Sequence, residues 1–235
     1  MKKTLRLLLV LSILLPCFSV KARAELSIDV TGAVSEPLPI ALAPFATNNY
    51  KASGLAGKIT QVIAADLESS GLFQPLDADA FGQTFKSVND APQFNLWKAV
   101  NAQALLQGEI KYEDKKAILV SFRLWDVYSA QDMISGTLEI DNKGWRRVAH
   151  LIADAVYKRI TGEDGYFDTR IVYIAESGPA LKRVKRLAIM DQDGENHQFL
   201  TSGKNLVLTP RFSPNMQQIT YMSSVSYTHL RAHET

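Results

Sequence analysis

The side chains best suited to chemistry in this chain are its acids and histidines, and their spacing limits what they can do. Asp191, Asp193 and Gly194 stand in the order of a calcium loop, where alternating acids ligate and a glycine permits the sharp turn. Such a loop needs its glycine mid-way and a bidentate glutamate at its end. Here the glycine comes early and Ser202 stands where the glutamate belongs, so a polar turn explains these residues. His229 and His233 have metal-ligand spacing but lie in the closing stretch treated below. Asp164 and Asp168 could act as acid and base together, yet acids in a polar linker are ordinarily just solvated. His150 borders the apolar face of a helix, which favours a packed or half-exposed ring over a ligand. His197 borders a turn and has no acid or histidine at metal spacing. No Gly-x-Ser-x-Gly elbow, phosphate loop or Gly-x-Gly-x-x-Gly occurs. Cys17 is the single cysteine and lies in the leader, which leaves no thiol nucleophile, disulfide or thiolate zinc site in the mature chain. The reading is therefore of a non-enzyme with no catalytic residues, cofactor or metal.

Two amphipathic helices and a set of strands must position whatever these residues do. Pro39 to Phe45 reads as a buried strand. A helix from Gly54 to Ser70 puts Leu55, Ile59, Val62, Ile63 and Leu67 on one face, and Gly71 is placed to end it. Leu72 to Leu76 is a short extended piece, Asp77 to Pro92 is mostly loop, and Gln93 to Val100 is a short helix with Trp97 inward. Three strands follow: Ala104 to Tyr112, broken at Gly108; Ala117 to Tyr128, with strict alternation; and Met133 to Ile140. The second long helix, Trp145 to Ile160, buries Val148, Ile152 and Val156, solvates Arg146, Arg147 and Lys158, and stops at Gly162. The order β-α-β-α-β-β-β-α predicts an α+β domain, a mixed sheet with helices packed on it. Thr161 to Thr169 is polar and glycine-rich and marks the boundary, the place where a protease should cut first.

Beyond the boundary the chain is β-type. Leu187 to Met190 and His197 to Thr201 flank an Asp-Gly turn suited to a hairpin. Arg170-Ile-Val-Tyr-Ile and Gln218-Ile-Thr-Tyr-Met share one pattern 48 residues apart. That spacing matches propeller blades, which repeat about every 40 to 50 residues; an ordinary β-meander would give the same two strands. Val225 to Thr235 resembles a translated sequencing adapter and is read as a non-native tail.

The N-terminus carries the strongest single signal. Lys2, Lys3 and Arg6 precede an apolar core from Leu7 to Leu15, too short to span a bilayer, which takes about 20 residues. Ala22-Arg23-Ala24 fits a signal cleavage site between Ala24 and Glu25, within a window that opens at Ser19. The first 24 residues hold five basic and no acidic side chains, and the remainder has 21 basic against 24 acidic. The basic balance therefore belongs to the leader, and no basic stripe points to nucleic acid. The next stretch, Glu25, Leu26, Ser27, Ile28, Asp29, Val30, Thr31 and Gly32, alternates with the period of a strand. It is either the first strand of the domain or a detachable strand that adds to a partner's sheet edge.

Taken together, these residues resemble the N-terminal part of the TolB family, the periplasmic component of the Tol-Pal envelope system. The resemblance rests on the leader, Glu25 to Gly32, Pro39-Ile-Ala-Leu42, Asp66-Leu-Glu-Ser-Ser-Gly-Leu-Phe73, Arg170 to Ile174, Asp191-Gln-Asp-Gly194 and Pro210-Arg-Phe-Ser-Pro214. It implies five segments: signal peptide 1–24, extended partner-binding segment 25–36, α/β domain 37–163, first propeller blade and start of the second 164–224, and tail 225–235. It further implies a non-enzymatic, monomeric adaptor in the periplasm, which supports outer-membrane integrity and constriction during division. Such an adaptor meets the membrane only through its partners, TolA at Glu25 to Gly32 and the lipoprotein Pal at the propeller. The alternative is an exported hydrolase of prolyl-peptidase type whose propeller gates a catalytic domain absent from this sequence.

Overall fold

The computed structural model describes residues 26–28, 36–47, 49–76, 82–112, 117–141, 143–226 and 229–234. The first domain is built on a six-stranded mixed sheet. Its strands are β1 (Leu38–Leu42), β2 (Ala46–Thr47), β3 (Phe73–Pro75), β4 (Ala104–Tyr112), β5 (Ala117–Asp126) and β6 (Gln131–Asp141). The order is β3-β1-β4-β5-β6, with β2 beside β4. β1 runs parallel to β3 and β4, whereas β4, β5 and β6 form an antiparallel meander. Parallel neighbours need crossovers, and helices α1 (Tyr50–Ser69) and α2 (Phe94–Ala99) lie in them. Helix α3 (Trp145–Thr161) packs beside α1.

Apolar periodicity explains the packing. Ile59, Ile63 and Leu67 of α1 and Val148, Ile152, Val156 and Ile160 of α3 are fully buried against Ile118, Val120 and Leu124 of β5. The opposite sheet face holds a smaller core of Phe85, Trp97, Leu105 and Val127. Gln107, fully buried, fastens the 82–93 loop there by donating to the Val88 and Asp90 carbonyls at 2.8 and 3.1 Å and accepting from Trp125 Nε1 at 2.9 Å. The second helix ends as expected: Gly162 takes φ 79° and its N–H caps the Lys158 carbonyl at 2.9 Å.

Element ends shift by a few residues throughout, and three of the differences from expectation are instructive. Helix α1 begins at Tyr50 rather than Gly54 and runs through Gly54 and Gly57, where a Cβ would meet open space. Those glycines carry only a propensity penalty, which packing further along outweighs. β4 runs unbroken through Gly108. A Cβ there would collide with the buried ring of Phe45, so the glycine marks a close approach rather than a break. Gly108→Ala is accordingly expected to lower stability by about 1–3 kcal/mol through overpacking, read as a lower melting temperature with unchanged circular dichroism at 20 °C. The boundary stretch is also anchored rather than free. Phe167 is fully buried in the first domain's core, and the Asp154 carboxylate accepts the Phe167 and Asp168 N–H groups at 2.8 and 3.1 Å.

The β-type region forms two three-stranded sheets. β7 (Arg170–Ser177), β8 (Val184–Asp191) and β9 (Gln198–Phe199) make the first; β10 (Leu206–Phe212), β11 (Ile219–Ser226) and β12 (His229–Glu234) make the second. They meet over a small core of Leu187, Val207 and Ile219, and among the described residues neither closes a ring. The turn is the expected one: Gly194 takes φ 88°, its N–H reaches the Asp191 carbonyl at 3.0 Å, and Asp191 N–H reaches Glu195 at 2.9 Å. The two patterned strands are β7 and β11, but β7 is an edge strand whereas β11 is central. β12 falls within the stretch read as a tail; its backbone pairs antiparallel with β11.

Candidate functional site: a charged node between helix and blade

The only expected site residues the structure describes in the N-terminal segment are Leu26, Ser27 and Ile28. Ala24, Glu25, Asp29, Val30, Thr31 and Gly32 lie outside the described residues. Leu26 and Ile28 are half-buried against the first domain's core, and Ser27 is exposed. Ile28 N–H donates to the Ile160 carbonyl at 2.9 Å. That carbonyl belongs to the last turn of α3, where helix geometry leaves acceptors unused. Residues 26–28 thus rest on a helix end and do not join the sheet.

The acids and histidines separate. Asp164 pairs with Lys158 at 2.6 Å and Asp168 with Arg147 at 3.1 Å, so they do not form an acid–base pair. Asp164 is held below the usual carboxylate range by the Lys158 ammonium. His197 packs edge-on against Phe199, ring centres 4.7 Å apart, and tilts over Tyr173.

His150 is buried, as expected, but its partners give it a role the sequence reading missed. Its Nδ1 lies 2.7 Å from the Asp66 carboxylate, and both side chains are 2% exposed. Its Nε2 is buried without a hydrogen-bond partner and faces Asp193 Oδ2 at 3.6 Å. Arg146 also grips Asp193, with Nε at 3.1 Å and Nη2 closer still. Arg146 is therefore largely withdrawn from solvent, against expectation, because the acid of the 191–196 turn reaches it. Asp66 comes from α1, Arg146 and His150 from α3, and Asp193 from the turn between β8 and β9. A clue lay in the helix periodicity: Asp66 sits one turn beyond Val62 and Ile63, inside the apolar face.

The electrostatics follow from the geometry. Burial pulls the His150 pKa down, but the hydrogen bond and charge of Asp66 and the charge of Asp193 outweigh it, so it lies above 6.5. Burial raises Asp193, yet the Glu195 N–H, Arg146 and His150 bring it below its ordinary value. Asp154 goes the other way, because burial outweighs its two backbone N–H donors.

Asp66, His150 and Asp193 place three ligand atoms within 4.8 Å of one another. A metal there would need Asp193, whose Oδ2 already carries a guanidinium, and would find Nδ1 of His150 committed to Asp66. An Asp–His pair can also activate a nucleophile, but the group facing Nε2 is a carboxylate rather than a hydroxyl or thiol. What this node can hold is a proton, shared among two acids and opposed by one arginine.

Comparison with known proteins fits the two-part fold. Residues 26–133 match the TolB amino-terminal domain, and residues 157–229 match the TolB beta propeller domain. The Tol-Pal system protein TolB of Paramagnetospirillum magneticum (strain ATCC 700264 / AMB-1) is 51% identical over 202 residues, 86% of this chain. The chain belongs to the TolB family. It spans 45% of that relative's length. The crystal structure of TolB from Acinetobacter baumannii superimposes with a TM-score of 0.71 over 90% of this chain and 50% of that one, at 24% identity, which establishes the shared fold. The TolB-type architecture is thus an α+β domain followed by propeller-like sheets. Among the described residues no helix is long and apolar enough to cross a membrane.

Proposed function

We propose that this chain serves the Tol-Pal envelope system as a non-enzymatic periplasmic adaptor, linking TolA to the lipoprotein Pal and supporting outer-membrane integrity and constriction at division. The identity of 51% to a Tol-Pal TolB across most of the chain carries this reading. The physical support comes from Leu26 to Ile28. A segment held by one described backbone hydrogen bond and two half-buried aliphatic side chains can be exchanged for a partner's sheet edge. In that reading Glu25 to Gly32 is the TolA-binding element, added as a strand whose Leu26, Ile28 and Val30 side chains enter pockets on one face. Cleavage after Ala24 frees it. The propeller supplies the Pal-binding surface.

Deleting residues 25–32 tests the proposal. Two half-buried aliphatic groups and one hydrogen bond stabilise the domain by on the order of 1–3 kcal/mol. The melt should therefore fall by only about 2–10 °C, while titration with TolA should show binding lost. Ile28→Ala should weaken binding, and Ile28→Pro should weaken it more, because it also removes a backbone donor. A deleted chain that still binds TolA ends the proposal, and so does one that no longer folds, since the segment would then be part of the core.

A further inference from the structure

The node between α1, α3 and the β8–β9 turn has the geometry of a switch, whichever partners the chain binds. Three elements meet at one imidazole. Asp66 holds Nδ1 at 2.7 Å from within the first domain. Asp193 faces Nε2 at 3.6 Å from the blade. The ring is 2% exposed and Nε2 has no other partner, so a neutral imidazole would present Asp193 with a lone pair or an unshared N–H at long range. A protonated imidazole donates from both nitrogens and joins the two carboxylates through one ring.

We propose that His150 is a proton-operated latch, which when protonated fastens the blade's 191–196 turn to the α+β domain and when neutral loosens it, leaving the Arg146–Asp193 pair as the remaining hold on that turn. The other charges around the ring bear this out. From α1, Asp66 attracts the charge, and Lys58 lines a groove together with Arg146, Asp193 and Glu195. From α3, Arg146 repels it but is itself neutralised by Asp193. Arg147 pairs with Asp168 at 3.1 Å, and Lys143, Arg170 and Asp191 also line the outer cleft beside the ring, two cations and one acid. Two acids therefore act on the imidazole directly, and one cation opposes them through an acid it shares.

The sign follows from linkage. His150 has its pKa raised in the folded chain, against the pull of burial, first by Asp66 and further by Asp193, so its contribution is complete below the unfolded value of 6.5 and is lost as pH rises through the raised value. Asp193 is lowered, so its contribution holds above 3.8 and disappears as pH falls through its depressed value. The latch is closed between the depressed value of Asp193 and the raised value of His150, and it loosens as pH rises through the latter.

The test uses the whole chain and two readings, the imidazole titration of His150 by NMR and hydrogen-exchange protection of the 191–200 amides corrected for intrinsic rates. Protection should fall between about pH 6 and pH 9 by about tenfold for each unit by which docking raises the pKa. Asp193→Asn keeps the turn's acceptor for Glu195 N–H and leaves the Asp66–His150 pair intact. It should titrate His150 at a lower pH and flatten the protection profile. A flat wild-type profile, or an Asp193→Asn chain that keeps the wild-type fall, overturns the latch.

Discussion

Phe167→Ala is expected to destabilise the chain by about 3–5 kcal/mol, the range for deleting a buried aromatic ring, and to turn a protected linker into the first site of proteolysis. Phe167 is fully buried although it stands in a glycine-rich, polar stretch. Its ring packs with Tyr157 and Tyr166 at 5.7 and 4.7 Å, and its N–H is fixed by Asp154. Gly165 lies so close to the Asp154 backbone that a Cβ would collide with it. The wild-type linker should therefore resist cleavage at Gly162 to Thr169 as well as the helices do. The variant should melt on the order of 10 °C lower and be cut there first, leaving the two parts as separate fragments. Wild-type protein cut first in this stretch, or a variant with an unchanged melt, would show that the linker is not a structural member of the first domain.

That residue also shows where sequence reading stops. Long periodic elements were legible: both major helices, the alternating β5, the meander and the Asp-Gly turn follow from apolar spacing and turn chemistry, which act over a few residues. The family resemblance was legible too, from short pieces in the right order. Phe167 was not, because composition around it is polar and only tertiary contact makes it core. Gly108 was misread as a break for the same reason: what matters there is the ring of Phe45, 63 residues earlier. The node lies beyond local reading altogether. His150 and Asp66 are 84 positions apart, and Asp193 belongs to a turn that the Asp-Gly pair already explained. Asp66 did leave a trace, as an acid inside an apolar helical face, a placement that commonly means a buried partner.

Asp66→Ala should be the most damaging change at the node, costing about 3–5 kcal/mol. Removing one member of a buried pair leaves the other without compensation, whereas the gain from the intact pair is modest because both groups lose their hydration. The same reasoning predicts that Asp66→Leu combined with His150→Leu recovers most of the loss, since neither polar group then remains to be satisfied. The pH dependence should change sign as well. In the wild type Asp66 helps hold the His150 pKa above 6.5, so the histidine's contribution to stability declines as pH rises through that raised value. Without Asp66, burial prevails and the folded pKa falls below the unfolded one. The contribution then declines as pH falls, because a buried neutral imidazole must take up a proton. Denaturant melts of both proteins from about pH 5.5 to pH 8.5 should give a stability difference that is largest at the acid end and shrinks towards the alkaline end. A difference that stays constant across the range would mean that Asp66 does not hold a proton on His150, and the pair would then be a packing contact with no part in a switch.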